Sequence, residues 1–535
     1  DLHSFPTRRS SDLPTVENLQ KTLRSIVKDP RHFFKLSIQG LLVGIFSGLM
    51  VCLYRFLLGA SESILRDFLP LINSNIFYII MWFSLLIVLA LILAYLVKWE
   101  PNSAGSGIPH IYAEVKGHME VNWKKSLFAK IVEGVVTVLG GLSLGPEGPS
   151  VQVGGMAGKG ISKLFNGSKT DEIRLILVGS AVGITAAFNA PLAGVVFILE
   201  EINHGFDKTL IFIALIAAIV SDFISKVIFG QSTILNFPVL NIPLGDYWLL
   251  LILGTIIGLL GYLYNVGMIK SSDLWNKIPE FPLEIKFIIV FLVSGVVALY
   301  IPEVLDGGHF MMDILTIAVP SLGVLLVLFI AKYLFSLFSF SSGAPGGIFL
   351  PILVIGAYIG AIFGAVAIPA LGLENDLIYK FIIISMAGFF TATVRSPITG
   401  IVLLSEMSGS TESLVAMIIV CLIAYVIPTL LNNEPIYETL FERLLIKENQ
   451  EFVRQPSKHV LSEYVVPLDC DFINQEIHNI PFPKNAIVVS IIRDGSYIIA
   501  RDDLKIKYGD QIHFLTDVND YPYVHEEIEF LINKD

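Results

Sequence analysis

The stretch Leu144-Gly145-Pro146-Glu147-Gly148-Pro149 sets one carboxylate among glycines and prolines. The apolar segment Ile131 to Leu144 precedes it, and the glycine-rich segment Val151 to Ile161 follows. Both read as embedded in lipid, where an ionisable side chain is costly and marks function by default. The spacing predicts a helix that starts inside the membrane, with Pro149 in its first turn. Such a helix aims free N–H groups and the positive end of its dipole into a cavity, which suits an anion. A carboxylate at the same place competes with that anion. Anion transport gated by protonation is the expectation.

The rest of the chain is consistent with this setting. Of 535 residues, 54% are hydrophobic and 16% charged, and mean hydropathy is +0.71. A soluble domain of that composition would be unusual, and a polytopic membrane protein is the natural reading. The net charge of −11 comes largely from the polar tail, so it says little about ligands. Lys21, Arg24, Lys28, Arg31 and Lys35 precede the first long apolar run and predict a cytoplasmic N-terminus. Residues 1–13 are Ser/Arg-rich without an apolar core, and read as a disordered leader or sequence scar rather than a signal peptide. Residues 14–34 are then a cytoplasmic N-terminal segment. Cys52, Cys421 and Cys470 imply no disulfide framework.

Apolar segments recur at about 35–59, 76–98, 127–142, 174–201, 209–229, 247–269, 286–303, 314–337, 349–370, 379–394, 398–407 and 412–431. Several are too short to cross ~30 Å of hydrocarbon, and others are split by Gly or Pro. That pattern predicts tilted, broken and re-entrant helices around a cavity. The chain also repeats. Ala187 to Glu200 matches Thr393 to Glu406, with Pro191, Gly194 and Glu200 in register with Pro397, Gly400 and Glu406, 206 residues on. Gly145, Pro149, Gly154 and Gly158 match Gly347, Pro351, Gly356 and Gly360, 202 residues on. The expected fold is an all-α polytopic membrane domain at 35–439, built of two inverted-topology repeats at about 35–230 and 245–435. A charged linker is expected at 440–458 and a small α+β cytoplasmic domain at 459–535. Its expected strands are Val460–Val466, Ala486–Arg493, Tyr497–Arg501 and Gln511–Thr516, with a helix near 523–533. Asp494-Gly495 and Tyr508-Gly509-Asp510 supply turn signals.

Four motifs in order resemble the CLC family of chloride channels and proton/chloride exchangers. They are Gly105-Ser106-Gly107-Ile108-Pro109, Gly145-Pro146-Glu147-Gly148-Pro149, Gly347-Ile348-Phe349-Leu350-Pro351, and Glu434-Pro435-Ile436-Tyr437. The resemblance implies that the hydroxyls of Ser106 and Tyr437 and the N–H groups of Ile348 and Phe349 bind chloride. It implies that Glu147 is the gating and external proton glutamate. Gly105, Gly107, Pro109, Gly145, Gly148, Pro149, Gly347 and Pro351 would shape the supporting loops. Hydroxyl and backbone donors carry no full positive charge, which suits an ion that must also leave. Read without the family, Ser106 is a turn or cap residue and Tyr437 an interfacial aromatic.

Glu201 in Leu199-Glu200-Glu201-Ile202-Asn203-His204 matches the internal proton-transfer acid of the family's exchangers, where typical channels carry an apolar residue. Glu200 is matched by Glu406 in the repeat, which predicts capping or pairing at equivalent helix ends. Glu201 is matched by Met407 and breaks the symmetry. The resemblance thus implies a proton-coupled chloride antiporter, with a passive channel of the same fold as the alternative. A membrane hydrolase built on Glu200, Glu201 and His204 lacks a nucleophile–base or metal constellation. A potassium-transport subunit lacks a filter of the Thr-Val-Gly-Tyr-Gly kind.

The chain departs from the family at Pro146, where Arg or Lys is usual, so a positive charge is missing near the outer anion mouth. Lys130 and Glu133, one helical turn apart, read as a local ion pair. No enzyme activity, metal, cofactor or nucleic-acid partner is expected, with chloride and protons the transported ligands. A homodimer in the bilayer of the plasma (cell inner) membrane, with both termini cytoplasmic, is implied. The tail, with Leu504 to Ile512 at its centre, resembles the TrkA-C module of bacterial ion-transport regulators. That implies a dimerising lobe able to take a small nucleotide.

Overall fold

The computed structural model describes residues 30–72, 75–205, 207–231, 235, 242–277, 282–447, 459–467, 470–493, 496–517 and 520–532. The expected leader 1–13, most of the segment 14–34, the later part of the linker and the Asp494-Gly495 turn lie outside them. The chain separates into two compact units, 1–449 and 450–535.

The first unit is helical. Its first half runs α1 (Pro30–Ile72), α2 (Ile76–Trp99), α3 (Ile108–Val115), α4 (Trp123–Leu139), α5 (Glu147–Leu164), α6 (Lys169–Phe188), α7 (Pro191–Phe197) and α8 (Lys208–Phe229). The second runs α9 (Trp248–Asn276), α10 (Leu283–Tyr300), α11 (His309–Ile317), α12 (Leu322–Ser341), α13 (Phe349–Leu371), α14 (Leu377–Val394), α15 (Pro397–Ser408) and α16 (Leu414–Leu430), and α17 (Ile436–Lys447) closes the unit. The order of long, short and broken helices is the same in both halves. Among the described residues, eight helices are long and apolar enough to cross a membrane. At 1.5 Å per residue the 43-residue α1 is about 65 Å long, far more than the ~30 Å of hydrocarbon. It is therefore steeply tilted or extends beyond the bilayer.

Two apolar runs are broken, as the Gly and Pro pattern predicts, and one expectation is corrected. The run 174–201 breaks where Asn189 takes a left-handed conformation (φ 50°) and Pro191 restarts the chain as α7. The run 314–337 is likewise two helices, with the break before Leu322 at Val319-Pro320-Ser321. The chain from residue 440, expected as linker, is helical to Lys447 because Tyr437, Phe441 and Leu445 are buried on one face of α17.

The halves meet through reciprocal contacts, which is what a two-fold relation produces. Gly145 and Gly347 exchange both backbone hydrogen bonds, N to O at 2.6 and 2.7 Å. The Glu200 carboxylate accepts from the N–H groups of Ile398 (3.1 Å) and Thr399 (2.7 Å) at the start of α15. The Glu406 carboxylate accepts from Leu192 (3.0 Å) and Ala193 (2.8 Å) at the start of α7. Each acid caps the other half's helix, the structural role expected from their register. Buried Lys130 and Lys332, also 202 residues apart, repeat one device. The first donates to the carbonyls of Ser103 and Gly105 (2.6 and 2.7 Å), and the second to those of Val304 and Asp306 (3.1 and 2.6 Å).

The second unit is an antiparallel sheet of β1 (His459–Val465), β2 (Ala486–Arg493), β3 (Ser496–Ile499) and β4 (Gln511–Asp517), in the order β1-β4-β2-β3, with the helix α18 (Tyr521–Ile532). Its strands lie within a residue or two of the expected bounds. Val466, Ile491, Ile512, Phe514 and Ile528 form its core. Arg493 holds buried Asp510 through two 2.8 Å contacts, and Asp510 also accepts from the Lys507 N–H.

Candidate functional site

Glu147 is the first residue of α5 and is buried, 2% exposed. The helix expected here exists, and Pro149 occupies its first turn without loss of a needed N–H. The Glu147 Oε2 accepts from the N–H of Leu350, at 3.3 Å, in the first turn of α13. A carboxylate from one half therefore sits on the helix N-terminus of the other. The motif glycines set this approach: a Cβ on Gly148 would lie 2.5 Å from the Ser106 Oγ.

The start of α3 joins the same place. Gly105 (φ 62°) receives the N–H of Gly346 at 3.0 Å and donates its own to Gly343 at 3.3 Å. Gly107 (φ 90°) is the residue before α3, and a Cβ there would meet the Gln152 side chain at 2.6 Å. Pro109 falls in the first turn of α3, and Pro351 in that of α13. The residues that precede α3, α5 and α13 give them no side-chain cap of their own. Ile348 precedes α13 and Phe349 begins it, both with no exposed surface. The Phe349 ring is wedged between Phe188 and Phe390, with centroids 5.2 and 4.6 Å away. Tyr437 lies in the first turn of α17, which packs against α3.

The Ser106 and Tyr437 hydroxyls are both buried and have no protein hydrogen-bond partner. A buried hydroxyl left unsatisfied costs about 1–3 kcal/mol, so two of them fit a ligand that accepts hydrogen bonds. A small anion meets that requirement from O–H, N–H and dipole alike.

Glu201 lies elsewhere, on a π-helical turn (Ile198–Ile202) that continues α7. The turn sends the adjacent Glu200 to α15 and Glu201 inward, 4% exposed. The Glu201 carboxylate accepts from the Tyr112 hydroxyl (3.0 Å) and from the Ser396 hydroxyl, and Tyr112 also donates to its backbone carbonyl. Glu201 borders a cavity of about 340 Å³ that it shares with His204, Arg395 and Glu438. Tyr112 and Ser396 escaped the sequence reading, although a signal existed for Ser396. Ser396 is matched by Ala190 in the repeat, so the hydroxyl breaks the symmetry just as Glu201 does.

One smaller reading changes. Lys130 and Glu133 do not pair: the ammonium binds the Ser103 and Gly105 carbonyls, and the carboxylate accepts from the Ser103 hydroxyl at 2.6 Å. Both brace the loop that carries Ser106. Glu200, committed to α15, gathers no third metal ligand with His204 among the described residues.

The family model for voltage gated chloride channels matches residues 89–429. The chain belongs to this family. A TrkA-C domain model matches residues 461–528. This CLC protein is 36% identical over 409 residues to the H(+)/Cl(-) exchange transporter ClcA of Citrobacter koseri, covering 74% of this chain and 85% of the relative. It is 35% identical over 465 residues to the ClcA of Vibrio cholerae serotype O1, covering 84% and 98%. Its fold resembles that of a slow cyanobacterial Cl-/H+ antiporter, with TM-score 0.73 and 28% identity over 77% of this chain and 99% of that one. A CLC-type fluoride/proton antiporter shares the fold alone, with TM-score 0.65 and 21% identity over 76% and 98%. The CLC domain is a multi-pass membrane domain of two inverted repeats, followed by a small sheet domain.

Proposed function

We propose that this CLC protein is a secondary active transporter that exchanges chloride for protons. The observation that carries the reading is the Glu147 carboxylate on the Leu350 N–H, with the unpartnered Ser106 hydroxyl against the adjacent Gly148. Deprotonated, Glu147 acts as a tethered anion and holds the start of α13. Protonated, it loses the charge that the helix N-terminus favours, by up to ~2 kcal/mol. It then swings away, and chloride takes the donors of Ser106, Ile348, Phe349 and Tyr437. Gly105, Gly107, Pro109, Gly145, Gly148, Pro149, Gly347 and Pro351 keep those donors close to the ion.

Glu201 passes protons to the cytoplasm, held by Tyr112 and Ser396 at the edge of its cavity. Chloride and protons are the only ligands this cycle requires, and no cofactor or metal enters it. The names of the Citrobacter and Vibrio relatives support exchange over passive conduction. The protein acts as a homodimer in the plasma membrane, with both termini cytoplasmic, since basic residues precede α1. Glu147 then faces the outside. The terminal domain regulates transport and binds a small nucleotide, a role supported by its TrkA-C match.

The test is flux in liposomes. Wild-type protein under a chloride gradient should drive protons uphill, while Glu147→Gln should pass chloride without protons. Chloride flux with no proton movement in the wild type would make it a passive channel.

A further inference from the structure

Glu147 borders a cavity of about 600 Å³ that the chloride site does not account for. Its walls carry Arg55, Glu62, Pro146, Asp306 and His309, and it reaches Asp313 at the rim. On these charges alone the cavity repels chloride. Most of them are already matched. Arg66 contacts Glu62 at 2.7 Å and Asp313 at 3.2 Å, and His309 lies 3.5 Å from Glu62 and 3.8 Å from Asp306.

Arg55 differs. It is half-buried on α1, seven residues before Glu62 and so about 10 Å deeper along the helix. Its Nη1 donates to neutral groups only: the Ala186 carbonyl (3.0 Å), the Asn189 Oδ1 (3.0 Å) and the Ser225 Oγ (3.4 Å). The guanidinium lies 4.5 Å from the centroid of Phe229. No carboxylate among the described residues lies within ion-pair distance of it. The Nε and Nη2 donors, which form a planar fork suited to an anion, have no partner among the described residues. A permanent cation so placed, with no carboxylate in ion-pair contact although Glu147 shares its cavity, favours an anion.

We propose that Arg55 anchors an outer anion site, where a small monovalent anion waits in the cavity while Glu147 holds the start of α13. This rests on the chloride-transport reading above. The site supplies the positive charge that Pro146 leaves out of the gating motif, from a different helix. Asn189, in its left-handed conformation at the end of α6, holds the guanidinium, so the site is tied to the rigid break before α7. The anion would meet Arg55 after the acidic rim and before Glu147.

Diffraction at the bromide edge tests this with crystals of the intact protein grown in sodium bromide. An anomalous peak beside the Arg55 guanidinium is expected, in addition to one near Ser106 and Tyr437. A peak at the inner site with none at Arg55 overturns the proposal and leaves the transport reading standing. No bromide at either place overturns both. In liposomes, Arg55→Gln should raise the external chloride concentration for half-maximal flux roughly fivefold. Arg55→Lys should restore most of it, as should Pro146→Arg added to Arg55→Gln. Unchanged half-saturation in Arg55→Gln overturns the proposal. So does equal damage in Arg55→Gln and Arg55→Lys, because the hydrogen bonds to Asn189 and not the charge would then matter.

Discussion

Tyr437→Phe should weaken chloride binding and yet leave the chloride-free protein as stable or more so. The two effects come from one atom. The hydroxyl is buried without a protein partner, at a cost of about 1–3 kcal/mol that phenylalanine does not carry. The same hydroxyl donates to chloride in the occupied state, where a hydrogen bond to a charged group contributes about 1.5–3 kcal/mol. Losing it weakens binding by about 10- to 150-fold, at tenfold per 1.4 kcal/mol. Stability follows by linkage. A protein held at 100 times its Kd gains about 2.7 kcal/mol from the ligand, and a 30-fold weaker variant at the same concentration gains about 1 kcal/mol. The assays are calorimetric titration with chloride and thermal unfolding in chloride and in a bulky anion such as gluconate. The wild type should gain more from chloride than the variant does. A variant that binds chloride as tightly as the wild type, or that is less stable in gluconate, would refute the assignment of Tyr437 as a chloride donor.

Ser396→Ala should slow coupled proton movement severalfold while chloride still passes, because it frees one oxygen of Glu201; unchanged coupling by pH electrode would remove Ser396 from the pathway. Glu406→Gln should destabilise the fold by about 1.5–3 kcal/mol through the N-terminus of α7, read as a lowered unfolding temperature in detergent. Truncation after Lys447 should leave chloride flux intact, because every proposed ion ligand precedes residue 438; a folded, truncated protein that cannot transport would contradict the division of labour. Arg493→Ala should cost about 3–5 kcal/mol in the terminal domain by leaving buried Asp510 uncompensated, seen as early melting of that domain with transport unaffected.

Local signals in the chain were enough to read the broken helix at Glu147, the paired halves and the capping role of Glu200. Pro and Gly dictate backbone geometry where they stand, and the repeat carries register. The break near Asn189 was legible through Pro191, two residues on, although the left-handed turn at Asn189 itself was not. Tyr112 was invisible because it acts on a residue about 90 positions away and nothing local marks a tyrosine as a partner. Arg55 went unread although, as an ionisable residue inside the apolar run 35–59, it carried the same signal as Glu147; its partners lie 131 or more positions away. Ser396 was the legible miss, since its mismatch with Ala190 mirrors that of Glu201 with Met407. The Lys130–Glu133 pair failed because helical spacing permits an ion pair but does not exclude the nearer Ser103 loop.

The most direct measurement is proton movement driven by a chloride gradient in liposomes, compared between the wild type, Glu147→Gln and Glu201→Val. The wild type should move protons against their own gradient, and both variants should move chloride with no coupled protons. Proton pumping that survives in Glu147→Gln would contradict a gate built on the contact between Glu147 and the start of α13.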